Sequence, residues 1–90
     1  MKKIKLAVVG CAGRMGRQLI KEMQSFKNID LIAAVEKKNS PNINENIKKI
    51  KITSDKEIAF RKADTIIDFS LPESTIETVK YATKLKKKLV

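Results

Sequence analysis

A doubly wound parallel α/β sheet in three layers is the fold this sequence predicts, and three observations predict it. Short apolar runs alternate along the chain with stretches of helical period, the order expected of parallel strands joined by crossover helices. The runs are nearly continuous rather than alternating with polar residues, which suits strands covered on both faces. The first run leads straight into "GCAGRMG", Gly10 to Gly16, a glycine-spaced loop set between a strand and a helix.

Ile4 to Val9 forms the first strand by its apolar content and its end at glycine. From Arg14 to about Phe26 the residues Met15, Leu19, Met23 and Phe26 recur at three- and four-residue intervals, one apolar stripe of a helix. "LIAAV", Leu31 to Val35, is a second buried strand that ends at an acid, Glu36. "KKNSPNINEN" reads as a loop by its proline, serine and asparagines. Ile50 to Thr53 gives a short strand. "SDKE", Ser54 to Glu57, has the spacing of a capping box and opens a short helix carrying Ile58 and Phe60. Thr65 to Phe69 is a further buried strand, and "SLPE", Ser70 to Glu73, is a second capping box with Pro72 in the first turn. The helix after it sets Ile76, Val79, Ala82 and Leu85 on one side, and "KKKLV" begins a last strand. The order is β-α-β, a loop, then β-α-β-α-β, with right-handed crossovers expected. A strand only just begun at Val90 reads as part of a longer protein.

At 90 residues the chain makes one small domain with a modest core. The lysines ahead of the first apolar run resemble the start of a signal peptide, but Lys5 interrupts that run and Gly10 ends it. No apolar stretch approaches the roughly 20 residues that span a bilayer. One cysteine, Cys11, supports neither a disulfide framework nor a cysteine metal site, and with no histidine a zinc site or a histidine base would have to come from elsewhere. No metal is expected, and the cytoplasm is the expected compartment. The net charge of +10 raises the possibility of a nucleic-acid binder, since basic surfaces neutralise phosphate. The aromatics Phe26, Phe60, Phe69 and Tyr81 are too few for a base-stacking platform, and the lysines are scattered among isoleucines and asparagines.

The glycine loop points elsewhere. Gly10 allows a tight turn, Gly13 lets a pyrophosphate approach the backbone, and Gly16 lets the helix press on the strand. The amides and dipole at the helix start attract phosphate. The spacing is GxxGxxG rather than GxGxxG, and a ligand-free structural turn is the plainer alternative. Glu36, twenty residues past Gly16 at the end of the second strand, is placed to accept both hydroxyls of an adenosine ribose. Its alternative is an ordinary strand-end acid. Lys37 beside it could meet a 2′-phosphate, so NADP as well as NAD is open, although chance explains a lysine almost as readily here. Arg14 offers a planar donor fork for phosphate oxygens or the adenine face, or a surface ion pair. Cys11 reads as a packing residue that contributes backbone. The rivals are a stand-alone NAD(H)-sensing module and a basic nucleic-acid-binding domain.

"GCAGRMGRQL", "AAVEK" and "DTIIDFSLPESTIE" together resemble the N-terminal part of the 4-hydroxy-tetrahydrodipicolinate reductases, formerly called dihydrodipicolinate reductases. The G-x-x-G-R-M-G loop is more distinctive than generic dinucleotide glycines, and a second block, D-F-[ST]-x-P, stands at Asp68 to Pro72. The resemblance implies a Rossmann-like dinucleotide-binding domain over residues 1–90 of a longer enzyme. That enzyme is an NAD(P)H-dependent oxidoreductase of lysine and diaminopimelate synthesis. It implies that Gly10, Cys11, Ala12, Gly13, Arg14 and Met15 cradle the pyrophosphate of NAD(H) or NADP(H). Glu36 would hold the ribose, Lys37 would meet a 2′-phosphate, and Phe69 and Ser70 would lie near the nicotinamide. By the residue reading Phe69 is as readily a core aromatic, and Ser70 a helix cap. The segment from Lys38 to Ile50 lacks glycines common in the family. The resemblance further implies that the glycine-threonine loop, the histidine-rich motif, the catalytic lysine and the contacts to a heterocyclic dicarboxylate lie outside this chain. So would the domain through which family members form homotetramers. No catalytic residue is expected among these 90.

Overall fold

The computed structural model describes residues 3–90. In chain order the elements are β1 (Ile4–Val9), α1 (Arg14–Met23), β2 (Ile29–Val35), β3 (Asn46–Ile47), β4 (Ile50–Thr53), α2 (Lys56–Lys62), β5 (Thr65–Asp68), α3 (Pro72–Lys84) and β6 (Lys88–Leu89). They build one six-stranded sheet in the order β3-β4-β2-β1-β5-β6. β1 is central and pairs in parallel with β2 and β5, while β4 adds in parallel to β2 and β6 to β5. Strand order therefore reverses direction at β1, the doubly wound arrangement expected.

The period of two along β1 divides the core between the layers. Leu6 and Val8 face one side with Cys11, Ile20, Met23, Ala34 and Ile52, so α1 covers that face. Ala7 and Val9 face the other with Ala33, Val35, Ala59, Phe60, Ala63, Ile66 and Ala82, under α2 and α3. Residues buried alternately on opposite faces are all apolar, which is why the strand reads as an unbroken run.

Several local expectations are corrected. β3, a strand not expected, begins at Asn46, the last residue of the stretch read as a loop, and pairs antiparallel with β4, so the sheet is mixed at that edge. Its turn is Lys48-Lys49, with φ of 53° and 69°. Two left-handed residues are what a tight primed hairpin needs, but asparagine and glycine usually supply them, so two lysines hide the turn. α1 presents Gly16, Ile20 and Met23 inward, with Leu19 half-buried, and leaves Met15 61% exposed. The helix ends before Phe26, which is exposed. α3 buries Thr78 and Ala82, with Tyr81 and Leu85 against the core, and leaves Ile76 73% exposed and Val79 exposed. Thr78 can be buried because its hydroxyl donates to the Ser74 carbonyl at 3.2 Å. In α2 the inward residues are Ala59 and Phe60, and Ile58 is exposed.

Both capping boxes are also corrected. Asp55, not Ser54, caps α2, its Oδ1 accepting from the Ile58 amide at 3.1 Å. Glu57 turns outward to Arg61 and Lys84 instead of back to the cap. α3 starts from Leu71 with no side-chain cap and Pro72 in its first turn.

The closest approach in the fold is between α1 and the loop before it. A Cβ on Gly16 would stand 2.3 Å from the Gly10 carbonyl oxygen and 2.8 Å from Cys11 Cα, both backbone atoms that cannot swing aside. Gly16→Ala is accordingly expected to lower stability by about 3 kcal/mol, the upper part of the range for overpacking. Urea unfolding measures this, and an unchanged midpoint would contradict the packing.

Candidate functional site

At the carboxyl edge of β1, β2 and β5 lies a crevice of about 670 Å³, lined among others by Gly10, Gly13, Glu36, Lys37, Phe69 and Ser70. Its size falls within the range of small-molecule sites. Gly10 makes the turn out of β1 at φ 78°. A Cβ there would also meet the Phe69 carbonyl carbon at 2.9 Å, so a glycine is needed on both counts. The amides of Gly10 and Cys11 both donate to the Val35 carbonyl, at 2.9 and 3.3 Å, which ties the loop to the end of β2.

The next residue, Ala12, is held on both sides. The Ala12 amide donates to Glu36 Oε2 at 2.8 Å, and its carbonyl accepts from Arg17 Nε at 2.8 Å. Gly13 then starts α1 in extended backbone with φ −75°. Unlike the other two glycines it has space: an added Cβ would meet only the Gly10 oxygen, at an ordinary 3.5 Å. Nothing within the chain requires glycine there. α1 has neither a side-chain cap nor an acid in its first turn, so its positive end is left to a ligand or solvent.

On the opposite side, the Phe69 amide donates to the Val9 carbonyl at 2.9 Å and its ring is 39% exposed at the crevice rather than in the core. Ser70 donates both its amide, at 2.6 Å, and its hydroxyl to Asp68 Oδ1. That interaction closes the turn after β5 and explains why Ser70 does not cap α3. The other Asp68 oxygen, Oδ2, is buried without a partner.

Six of the ten expected site residues thus line one crevice. Cys11 is buried beneath it, Ala12 is held against Glu36, and Arg14 and Met15 are exposed at the start of α1 outside the lining. Sequence reasoning missed Arg17, which holds the loop from one turn into the helix, and the lining residues Lys38, Ser54, Lys56, Leu71, Glu73, Ser74 and Glu77. Arg17 could have been suspected as the first arginine beyond the glycines. Among so many lysines, no sequence signal distinguishes Lys56.

A parallel sheet with helices on both faces, and a glycine loop at the carboxyl end of its central strand, define a Rossmann-like α/β domain. Its fold recurs in the dipicolinate-bound dihydrodipicolinate reductase of Paenisporosarcina sp. TG-14. The TM-score is 0.78 at 18% identity, over 97% of this chain and 36% of that one. It recurs as closely in RSP, a Rex-family repressor, in complex with beta-NADH, at TM-score 0.80 and 17% identity over 98% of this chain and 45% of that one. Likeness at such identities is likeness of fold.

Sequence narrows the class. Residues 4–90 match the family described as dihydrodipicolinate reductase, N-terminus, and the chain belongs to that family. It is 48% identical to the 4-hydroxy-tetrahydrodipicolinate reductase of Pelagibacter ubique (strain HTCC1062), over 100% of this chain and 34% of that protein. The chain spans about a third of the length of the curated relatives it matches. No helix among the described residues is long and apolar enough to cross a membrane.

Burial, reinforced by the charge of Glu36, pushes the Cys11 thiol from 9.0 up to about 12. The folded thiol keeps its proton where the unfolded one has lost it. Its contribution to stability is therefore complete below pH 9 and is lost as pH rises toward 12. Iodoacetamide at pH 8 is expected to spare Cys11 in the native protein and label it in urea. Rapid labelling of the native protein would show that the loop opens.

Proposed function

We propose that this chain is the NAD(P)H-binding domain, residues 1–90, of a 4-hydroxy-tetrahydrodipicolinate reductase, an oxidoreductase of lysine and diaminopimelate synthesis. The observation that carries the reading is Gly13. It is a glycine with room for a side chain, at an uncapped helix start, on the rim of a crevice that Glu36 also lines. Its bareness leaves space for a pyrophosphate to approach the amides of α1's first turn, with the helix dipole adding to the attraction.

Each residue then has a task. Gly10 to Met15 supply backbone and helix end to the pyrophosphate, and Arg14 adds a guanidinium from the surface of that turn. Glu36 keeps Oε2 on the Ala12 amide, which presets its orientation and leaves Oε1 to accept from a ribose hydroxyl. Lys37 offers a cation to a 2′-phosphate. Phe69 and Ser70 form the opposite lip and exclude water beside the nicotinamide. The cofactor, when bound, supplies a hydride; the chain's own part is to hold and orient it.

Reduction of a heterocyclic dicarboxylate needs a proton donor and cations for the carboxylates, which we assign to the remainder of the enzyme, as we do homotetramer formation. Cytoplasmic location suits a reductant-dependent biosynthetic step. The fold likeness to an NADH-bound repressor keeps a sensing module as the second reading, but the family match over residues 4–90 favours the reductase.

Titration with NADH and NADPH tests the cofactor assignment. Lys37→Ala is expected to weaken NADPH about 5-fold more than NADH, since an exposed charge contact contributes on the order of 1 kcal/mol. Equal losses for the two would refute the role of Lys37. The 90-residue chain is expected to oxidise no NADPH with the dicarboxylate substrate. Turnover within tenfold of a full-length relative would place the acid and substrate contacts inside this chain.

A further inference from the structure

The crevice has two walls. Glu36, Lys37, Lys38 and Ser54 stand at the ends of β2 and β4, while Phe69, Leu71, Glu73, Ser74 and Glu77 belong to the turn after β5 and the start of α3. The side chain of Lys56, two residues past Ser54 in the chain, reaches from the first wall to the second, with its hydrogen bonds and its ion pair all going to Ser74 and Glu77. It leaves the first residue of α2, lies 6% exposed, and lines the crevice itself.

Its ammonium has three hydrogens and three partners. Nζ donates to the Ser74 carbonyl at 2.9 Å and to Ser74 Oγ at 3.0 Å, and lies 3.3 Å from Glu77 Oε1. All three acceptors sit within the first turn and a half of α3. That end of α3 has no side-chain cap, Leu71 is exposed and Pro72 has no amide hydrogen. Its other ties are local: the Leu71 carbonyl accepts from the Ser74 and Thr75 amides and from the Thr75 hydroxyl, which lies 3.4 Å from Ser70 Oγ. The Phe69 and Ser70 end of the lip is pinned to β1 and β5 and so is set by the sheet, but those bonds do not reach the start of α3.

A buried ammonium is costly unless fully bonded, and a bonded one is often no more stabilising than an apolar side chain of the same volume. Glu77, 61% exposed, makes a weak ion pair. A second tie between α2 and α3, Lys84 to Glu57 at 3.1 Å, already joins these helices by exposed groups. What distinguishes the Lys56 contact is its place across the binding crevice.

We propose that Lys56 is a positioning residue, a strut that holds the start of α3, and with it the Leu71 end of the lip, at a fixed span from the Glu36 wall so that the crevice is preset to its ligand. The proposal rests on the dinucleotide reading of this crevice. A preset span spares the ligand the cost of ordering the lip, so the strut acts on affinity rather than on stability.

Lys56→Met keeps the stem and removes the donors. Relative to the wild-type protein it is expected to leave the urea midpoint nearly unchanged and to speed amide hydrogen exchange over Ser74 to Thr78. It should also weaken NADH and NADPH alike by about 10-fold, unlike Lys37→Ala. Ser74→Ala should give a smaller loss, and the double variant should bind no worse than Lys56→Met alone, because both act through one contact. If Lys56→Met does not fold, Ser74→Ala alone carries the test. A folded variant that binds both cofactors within twofold of wild type overturns the strut. A lowered urea midpoint with affinity retained also overturns it, in favour of a purely structural role. If the wild-type protein binds neither cofactor, the dinucleotide reading fails. Hydrogen exchange then decides the strut by itself, and unchanged exchange in Lys56→Met overturns it.

Discussion

The Gly10 carbonyl oxygen lies where a side chain on residue 16 would have to stand, and much of the molecule follows from that contact. With hydrogen in place of a methyl, α1 can lie directly on the turn that leaves β1. The contact sets the rotation of α1, since the residue pressed on the loop must be Gly16, and Ile20 and Met23 follow on the same face one and two turns later. It also sets the direction of the helix, so that Gly13 and the uncapped first turn open at the carboxyl edge of the sheet. Gly10 repeats the constraint on the other side, where the backbone of Phe69 and Ser70 comes within 3.1 Å of a Cβ position. The ends of β1 and β5 and the start of α1 are therefore drawn together by the absence of two side chains.

Polar bonds then make the loop rigid, and the Gly13 amide itself turns back to the Gly10 carbonyl at 3.2 Å. Val35 receives the amides of Gly10 and Cys11, Glu36 receives that of Ala12, and Arg17 takes the Ala12 carbonyl. Glu36, from across the fold, and Arg17, from one turn into the helix, thus hold the two peptide groups that flank Ala12. The carboxylate proposed for a ribose is consequently also a structural part of the glycine loop proposed for the pyrophosphate. Burial of Cys11 beneath the same peptide keeps its thiol protonated and inert, so the loop carries a cysteine without carrying thiol chemistry.

The opposite wall is built differently. The turn after β5 is closed by Ser70 on Asp68, and α3 begins without a cap, so its placement depends on groups far away in sequence. A lysine eighteen residues upstream supplies them. Parallel sheets put the ends of several strands at one edge, but the helices that follow must be tied to one another for the edge to become a crevice of fixed width. In a domain with a small core, buried polar contacts between helices are one way to do this.

The sequence by itself determined five of the six strands, the layer order, the glycine loop and the acid at the end of β2. Each of these rests on local chemistry: continuous apolar runs where both faces are covered, glycines where the backbone turns or is approached, a strand end where a carboxylate can sit. Tertiary structure alone decided the helix phases. Met15, Ile76 and Val79 are as apolar as the residues that were buried instead, and the choice fell to Gly16 against Gly10 and to Thr78, whose hydroxyl found a carbonyl on its own helix. The caps differed because neighbouring residues had equal capacity: Asp55 could cap where Ser54 was expected, and Asp68 captured Ser70. The Lys48-Lys49 hairpin and the Lys56 strut were hidden by composition, since in so basic a chain neither positive φ nor burial marks one lysine among the others. Which lysine is bonded on every side depends on what another helix brings to it, and that is information no single segment of the chain contains.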